Sequence, residues 1–175
     1  MNAGTAPIPG TTAASRGSSR RLSLADLAAT RRFAAGVAAT ARPGDAIALS
    51  GPLGVGKTEF ARAFIRALSR RHGKAPPDEV PSPTFTLAQT YDLGAVAVWH
   101  FDLYRLERPG DAAELGLDEA LAGGIALIEW PERLGGLLPR DRLDIALSFA
   151  GRDRPEAREA IITAHGDWGA RLSHV

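Results

Sequence analysis

GPLGVGKT, residues 51–58, is the stretch on which the reading of the whole chain turns. It satisfies G-x(4)-G-K-T, and its flanks give that pattern a structural context. Before it, DAIALSG is too short for a helix and bounded by turn formers, which reads as a buried strand. After it, KTEFARAFIRALSRRHG repeats Phe60, Phe64, Ile65 and Leu68 at helical spacing and closes on basic residues and Gly73. Strand, glycine loop and helix in that order make the motif a phosphate-binding hypothesis with a mechanism. Gly54 and Gly56 permit backbone angles closed to other residues, so successive N–H groups can face one concavity. The helix aims its partial positive end at the same place, Lys57 brings a point charge to the outer phosphates, and Thr58 offers a hydroxyl to magnesium. The plain alternative is a glycine-rich turn with no ligand, and the ordered flanks weigh against it. Pro52 removes one amide, but ahead of the run from Gly54 to Thr58 whose amides matter most.

Outward from the loop, RLSLADLAATRRFAAGVAATARPGD offers a short apolar start and then an alanine-rich helix with Leu27, Phe33, Ala34, Val37 and Ala41 on one face, stopped by Pro43 and Gly44. Ahead of it, residues 1–21 carry three arginines and no acid, without the arginine stripe of a transit peptide, and read as a disordered tail. That leaves 22–175 as a single domain. Downstream, KAPPDEVPSP is a proline-rich loop, and TLAQTYD and AVAVWHFDL read as strands of a hairpin joined at Leu93 and Gly94. DAAELGLDEALAGG has a helical pattern, IALIEW is an apolar run ending at Glu129, and LDIALSF and REAIITAH are two further strands. The sum is an α/β chain with a mixed sheet, helices around it and no internal repeat.

At 175 residues one core suffices. With 45% hydrophobic and 23% charged residues and a net charge of only +1, the profile is that of a globular protein and not of one bound to DNA through an overall positive field. Arg70, Arg71 and Lys74 read as charges at a helix C-terminus rather than an RNA site. The absence of cysteine excludes disulfides and thiolate metal sites, so any metal is held by oxygen or imidazole. No apolar run reaches the length of a membrane span and no secretory signal is visible, so a cytoplasmic location is expected.

The D-x-x-G and N-K-x-D patterns of common GTPases do not occur, which favours ATP by elimination. A hydrolytic site needs a carboxylate near magnesium, usually at the end of an apolar strand beside the loop strand. Glu129 and Asp102 both qualify. In the Asp102 strand, Val98, His100 and Asp102 share one face. His100 is open to two readings, a satisfied core histidine or a functional group. Arg105 either pairs with Glu107 on the surface or serves the site. In VPSPTFTL, Ser82 and Thr84 lie on a segment held extended by Pro81 and Pro83, from which a hydroxyl can reach a γ-phosphate; a stiff surface loop is the alternative.

LSGPLGVGKTEFARAFIRAL, VPSPTFTLAQTY, HFDLYRL, ELGLDEAL and IEWPE, in this order, resemble the TsaE (YjeE) family of bacterial ATPases of tRNA threonylcarbamoyladenosine synthesis, from about Leu24 to about Leu147. The phosphate loop alone is common to many families; SPTFTL, HFDLYRL and IEWPE together are specific. The resemblance implies a three-layer P-loop NTPase-like α/β fold whose mixed central sheet includes the hairpin. It also implies ATP and Mg2+ as ligands, TsaB and TsaD as protein partners, and contact with tRNA only through that complex. Turnover is expected to be weak alone and raised by the partners, with transfer of the threonylcarbamoyl group done elsewhere. Residue by residue, Lys57 matches the phosphate lysine, Thr58 the magnesium hydroxyl, Glu129 the metal-side acid, Asp102 the second acid, Thr84 the switch-like threonine and Trp130 the tryptophan beside the acid. The nucleotide-binding set is Gly51, Gly54, Val55, Gly56, Lys57, Thr58 and Glu59, with Leu27 and Thr30 near adenine. Arg105 would orient Asp102 or meet the partner complex, and Trp130 could equally be a core anchor. The departures are Pro52 for the usual acid or asparagine, Val55 for a frequent alanine, and the long N-terminal tail. The rival is a P-loop small-molecule kinase, which would need an arginine-rich lid and an acceptor pocket, and no convincing lid segment is found.

Overall fold

In the computed structural model, which describes residues 19–171, the apolar run ahead of the glycine loop forms β2 (Ala46–Ser50) in the middle of a seven-stranded sheet. It lies parallel to β5 (Ile125–Glu129) on one side and to β6 (Leu143–Phe149) on the other, and β4 (Ala97–Asp102) continues the parallel block beyond β5. The margins are antiparallel. β3 (Ala88–Asp92) folds back on β4 as the expected hairpin, β7 (Arg158–Ala164) pairs with β6, and β1 (Ser19–Leu24) pairs with β7. The order is therefore β1-β7-β6-β2-β5-β4-β3. All five residues of β5 are buried, which is why its sequence is continuous rather than alternating: a parallel strand covered on both faces has no wet side.

Helices α1 (Leu27–Thr40) and α2 (Lys57–Arg71) cover one face of the sheet. Phe33 and Val37 of α1 and Phe60, Phe64 and Leu68 of α2 pack on Ile47, Leu49, Leu127 and Ile145, and the Phe33 and Phe60 rings meet at 5.4 Å. Each such fully buried side chain contributes about 1.5–3 kcal/mol. Asp26 starts α1 by accepting from the Ala29 N–H at 2.6 Å. The other face is covered over β4 and β5 by α3 (Leu117–Gly123) and the 3-10 turns Pro109–Ala112 and Pro131–Leu137, with Leu117, Ala120 and Leu134 against Phe101 and Ile128. A short C-terminal helix, α4 (Trp168–Arg171), is pinned where Arg171 meets both carboxylate oxygens of Asp45 at 2.7 Å. Three layers and a mixed sheet with a built-in hairpin agree with the expected P-loop NTPase-like architecture.

Two boundaries differ from expectation. Of the tail expected over residues 1–21, Ser19–Arg21 belong instead to β1; the rest of that expectation, residues 1–18, and residues 172–175 at the other end lie outside the described residues. β1 is a largely exposed edge strand whose apolar alternation is confined to Leu22 and Leu24, too short to define it, so its pairing with β7 does. The helix expected across DAAELGLDEALAGG is broken at Gly116, which has φ +83°, and a Cβ there would stand 2.5 Å from the Trp99 ring.

Candidate active site

The loop between β2 and α2 runs hard against β6. A Cβ on Gly51, at φ +132°, would lie 2.3 Å from the Leu147 carbonyl oxygen, so only glycine lets the chain leave β2 in this direction. Gly56, at φ +113°, turns the chain into α2, whose first N–H groups have no intrahelical acceptor. Val55 buries its side chain, and what it offers is backbone; its carbonyl accepts from Arg158 Nε at 2.8 Å, which ties the loop to β7. Lys57 is buried and folds back over the loop, donating to the carbonyls of Gly51 at 2.8 Å and Pro52 at 3.1 Å. Its Nζ also lies 3.9 Å from the centre of the Trp130 ring. Burial lowers the Lys57 pKa below the ordinary 10.5, while the carboxylates of Glu129, Asp102 and Glu132 pull it back up.

The two acids stand on adjacent parallel strands and are register partners, Asp102 at the end of β4 and Glu129 at the end of β5. Both are almost fully buried, so each needs hydrogen-bond partners. Glu129 Oε2 accepts from Thr58 Oγ1 at 3.1 Å, and its Oε1 lies 2.8 Å from His100 Nε2. Asp102 Oδ2 is 2.7 Å from both Ser82 Oγ and Thr84 Oγ1, those hydroxyls are 2.8 Å apart, and Oδ1 accepts from the Tyr104 N–H at 3.2 Å. Two hydroxyl hydrogens thus serve three oxygen–oxygen contacts, which leaves the Asp102 cluster with spare acceptor capacity.

These groups border one cavity of about 250 Å³, with Gly54, Lys57 and Thr58 on the loop side and Asp102, Glu129 and Trp130 on the strand side. Leu53, Gly56, Glu59, Ser82 and Thr84 complete its wall. A second cavity of about 220 Å³ shares Gly54, Gly56 and Glu59 with the first and is otherwise bordered by Leu27, Thr30, Val55, Glu156 and Arg158. A larger apolar cavity of about 320 Å³ between β1 and α1 holds no carboxylate and none of the motif residues. Among the described residues no group of three or more His, Asp or Glu could cage a cation by itself. Thr58 and Glu129 instead offer two hard oxygens, which suits magnesium, an ion that keeps waters and takes phosphate oxygens besides one or two carboxylates.

Other residues singled out in the sequence fall as follows. Glu59 binds Arg62, and Arg31 at 3.5 Å, at the junction of the two cavities. Arg105 is not paired with Glu107 or Asp102 among the described residues; its guanidinium lies 4.6 Å from the ring of exposed Phe85. Trp130 has φ +60°, an uncommon conformation for a large side chain, and sits between Lys57 and the Tyr104 ring, 4.9 Å away. Two contacts escaped the sequence: the His100 bond to Glu129, and the double hydroxyl grip on Asp102. The alternation that puts His100 and Asp102 on one face was visible, but the strand register that brings Glu129 to them was not.

The family model of "Threonylcarbamoyl adenosine biosynthesis protein TsaE" matches residues 24–159. The chain is 41% identical over 125 residues to the tRNA threonylcarbamoyladenosine biosynthesis protein TsaE of Rickettsia bellii, covering 71% of this chain and 83% of the relative. It is 39% identical over 139 residues to the Bacillus subtilis protein of the same name, covering 79% and 81%. Among solved structures, Bacillus subtilis YdiB superposes with a TM-score of 0.71 at 32% identity, over 90% of this chain and 93% of that one.

Proposed function

The chain belongs to the TsaE family of threonylcarbamoyladenosine biosynthesis proteins, and from that premise we propose that it binds ATP with Mg2+ and hydrolyses it in support of this tRNA modification. The observation that carries the reading is the convergence of Lys57, the Thr58–Glu129 pair and the Asp102–Thr84 pair on one cavity at the start of α2. In this reading the loop amides and the N-terminus of α2 grip the β- and γ-phosphates, and Lys57 leaves its loop carbonyls to meet them. Thr58 and Glu129 hold magnesium, which when bound neutralises charge on the transferred phosphoryl group. Asp102, with its spare acceptor capacity, orients the attacking water and takes its proton. Thr84, now bonded to Asp102, lies on the wall that faces the γ-phosphate and serves as the nucleotide-sensing hydroxyl. The base occupies the adjoining cavity beside Leu27 and Thr30, with Gly54, Val55, Gly56 and Glu59 on its wall, and Gly51, which lines neither cavity, completes the nucleotide-binding set through the loop path and its carbonyl contact with Lys57.

The described residues from β1 to α4 act as one domain. It acts with TsaB and TsaD, meets tRNA through them, and does not itself transfer the threonylcarbamoyl group. None of the described helices is long and apolar enough to cross a membrane, and the pathway's tRNA substrate goes with a cytoplasmic location. Phosphate release from ATP, measured for the chain alone and with TsaB and TsaD, tests the reading. Slow release alone and a rise of tenfold or more with both partners is expected. A phosphorylated small-molecule acceptor in place of free phosphate would establish a kinase, and no turnover under either condition would refute hydrolysis.

A further inference from the structure

We propose that His100 is a positioning residue for Glu129, holding that carboxylate in the orientation that turns one oxygen to Thr58. The inference rests on the reading of Thr58 and Glu129 as the magnesium pair. His100 is fully buried in β4, and its register partner in β5 is Leu127, two residues before Glu129. Glu129 therefore reaches back along its strand, and Oε1 meets His100 Nε2 at 2.8 Å while Oε2 meets Thr58 Oγ1 at 3.1 Å. The two carboxylate oxygens have separate partners, one in the wall of the sheet and one at the cavity.

The hydrogen belongs on Nε2. His100 Nδ1 is buried without a partner among the described residues, so a hydrogen there would have no acceptor, whereas a bare lone pair is tolerated more easily. Nε2 then donates to Oε1. The terminal torsion of a glutamate is soft and roughly two-fold, and a single contact from Thr58 would leave it free to swing. A histidine with one nitrogen buried and unpaired is a poor way to fill space, since that nitrogen gives up its water for nothing. Fixing the ligand carboxylate accounts for its presence, as outer-shell hydrogen bonds do for metal ligands generally.

Three substitutions in the full chain test this. His100→Gln places an amide N–H about where Nε2 stands, His100→Asn places one about where Nδ1 stands, and His100→Leu places none. The readout is the magnesium concentration at which calorimetric ATP affinity makes half of its metal-dependent gain, with affinity in chelator and thermal melting measured alongside. His100→Leu and His100→Asn are expected to raise that concentration about tenfold or more. His100→Gln is expected to stay within about threefold of the unsubstituted chain, and affinity in chelator should be the same in all. Gln and Asn are both polar and similar in size, so that pair remains decisive if the leucine variant fails to fold. An unchanged magnesium requirement in His100→Asn, or an equal loss in His100→Gln at a comparable melting temperature, would overturn the positioning role. An unsubstituted chain that binds ATP with no magnesium dependence would instead overturn the magnesium reading of Thr58 and Glu129, and this inference with it.

Discussion

Asp102→Asn separates gripping the nucleotide from turning it over. Asp102 accepts from Ser82 and Thr84 at 2.7 Å through Oδ2 and from the Tyr104 N–H at 3.2 Å through Oδ1. Asparagine has the same shape, keeps an oxygen for Tyr104, and presents an NH2 to two hydroxyls that can turn to accept it. Exchanging charged bonds for neutral ones at this buried site lowers stability by about 1–3 kcal/mol, which a domain with about 5–15 kcal/mol in hand survives. Removing a negative charge beside a triphosphate does not weaken its attraction, so ATP affinity should stay within about threefold or improve. Loss of a group that takes a proton lowers turnover about 10²–10⁴-fold, or about 3–5 kcal/mol of barrier. Asp102→Ala gives the same loss of turnover but removes the acceptor of all three donors, of which only one hydroxyl can turn to the other, and should melt measurably earlier. The assay is phosphate release at saturating ATP and magnesium with TsaB and TsaD present, set against calorimetric affinity on the same preparation. Turnover within twofold of the unsubstituted protein, at retained affinity, would remove Asp102 from the chemistry.

Gly51→Ala drives a Cβ to 2.3 Å from the Leu147 carbonyl at a φ of +132°, so it should destabilise the fold by about 2 kcal/mol or more and abolish ATP binding; an unchanged melting temperature and affinity would contradict the described loop path. Burial lowers the Lys57 pKa below 10.5, so its charge is lost on the alkaline side earlier than that of an exposed lysine. ATP affinity should accordingly fall as the pH climbs through that lowered value, with proton uptake on binding there, seen as a dependence of the calorimetric heat on the ionisation enthalpy of the buffer. Thr58→Ala should raise the magnesium requirement for ATP binding about tenfold while Thr58→Ser, which keeps the hydroxyl, stays close to the unsubstituted chain; equal behaviour of the two would take Thr58 out of the metal site.

What the sequence made legible was local. The short apolar run, the glycine loop and the periodic helix after it identify β2 and α2 because each element's signal lies within its own residues. The hairpin of β3 and β4 was equally plain, since Leu93 and Gly94 mark the turn between two strand-like runs. β1 was not, because its side chains are mostly solvated and its partner β7 lies about 140 residues away in the chain. The break at Gly116 depends on the Trp99 ring arriving from β4, again a contact that periodicity does not encode. The same division holds at the site. Lys57, Thr58, Glu129 and Asp102 stand out by motif and strand end, whereas the bonds that orient them come from register and loop closure. His100 joins Glu129 across neighbouring strands, and Ser82 and Thr84 reach Asp102 across about 20 residues of intervening chain.

The most direct test of the central claim is a calorimetric titration of ATP with magnesium into the full chain and into Lys57→Ala. The claim that the start of α2 grips the triphosphate predicts saturable one-to-one heat for the unsubstituted chain and an affinity at least tenfold weaker for the variant. No heat of association in the unsubstituted chain, with TsaB and TsaD present as well as absent, or equal affinity in Lys57→Ala, would contradict it.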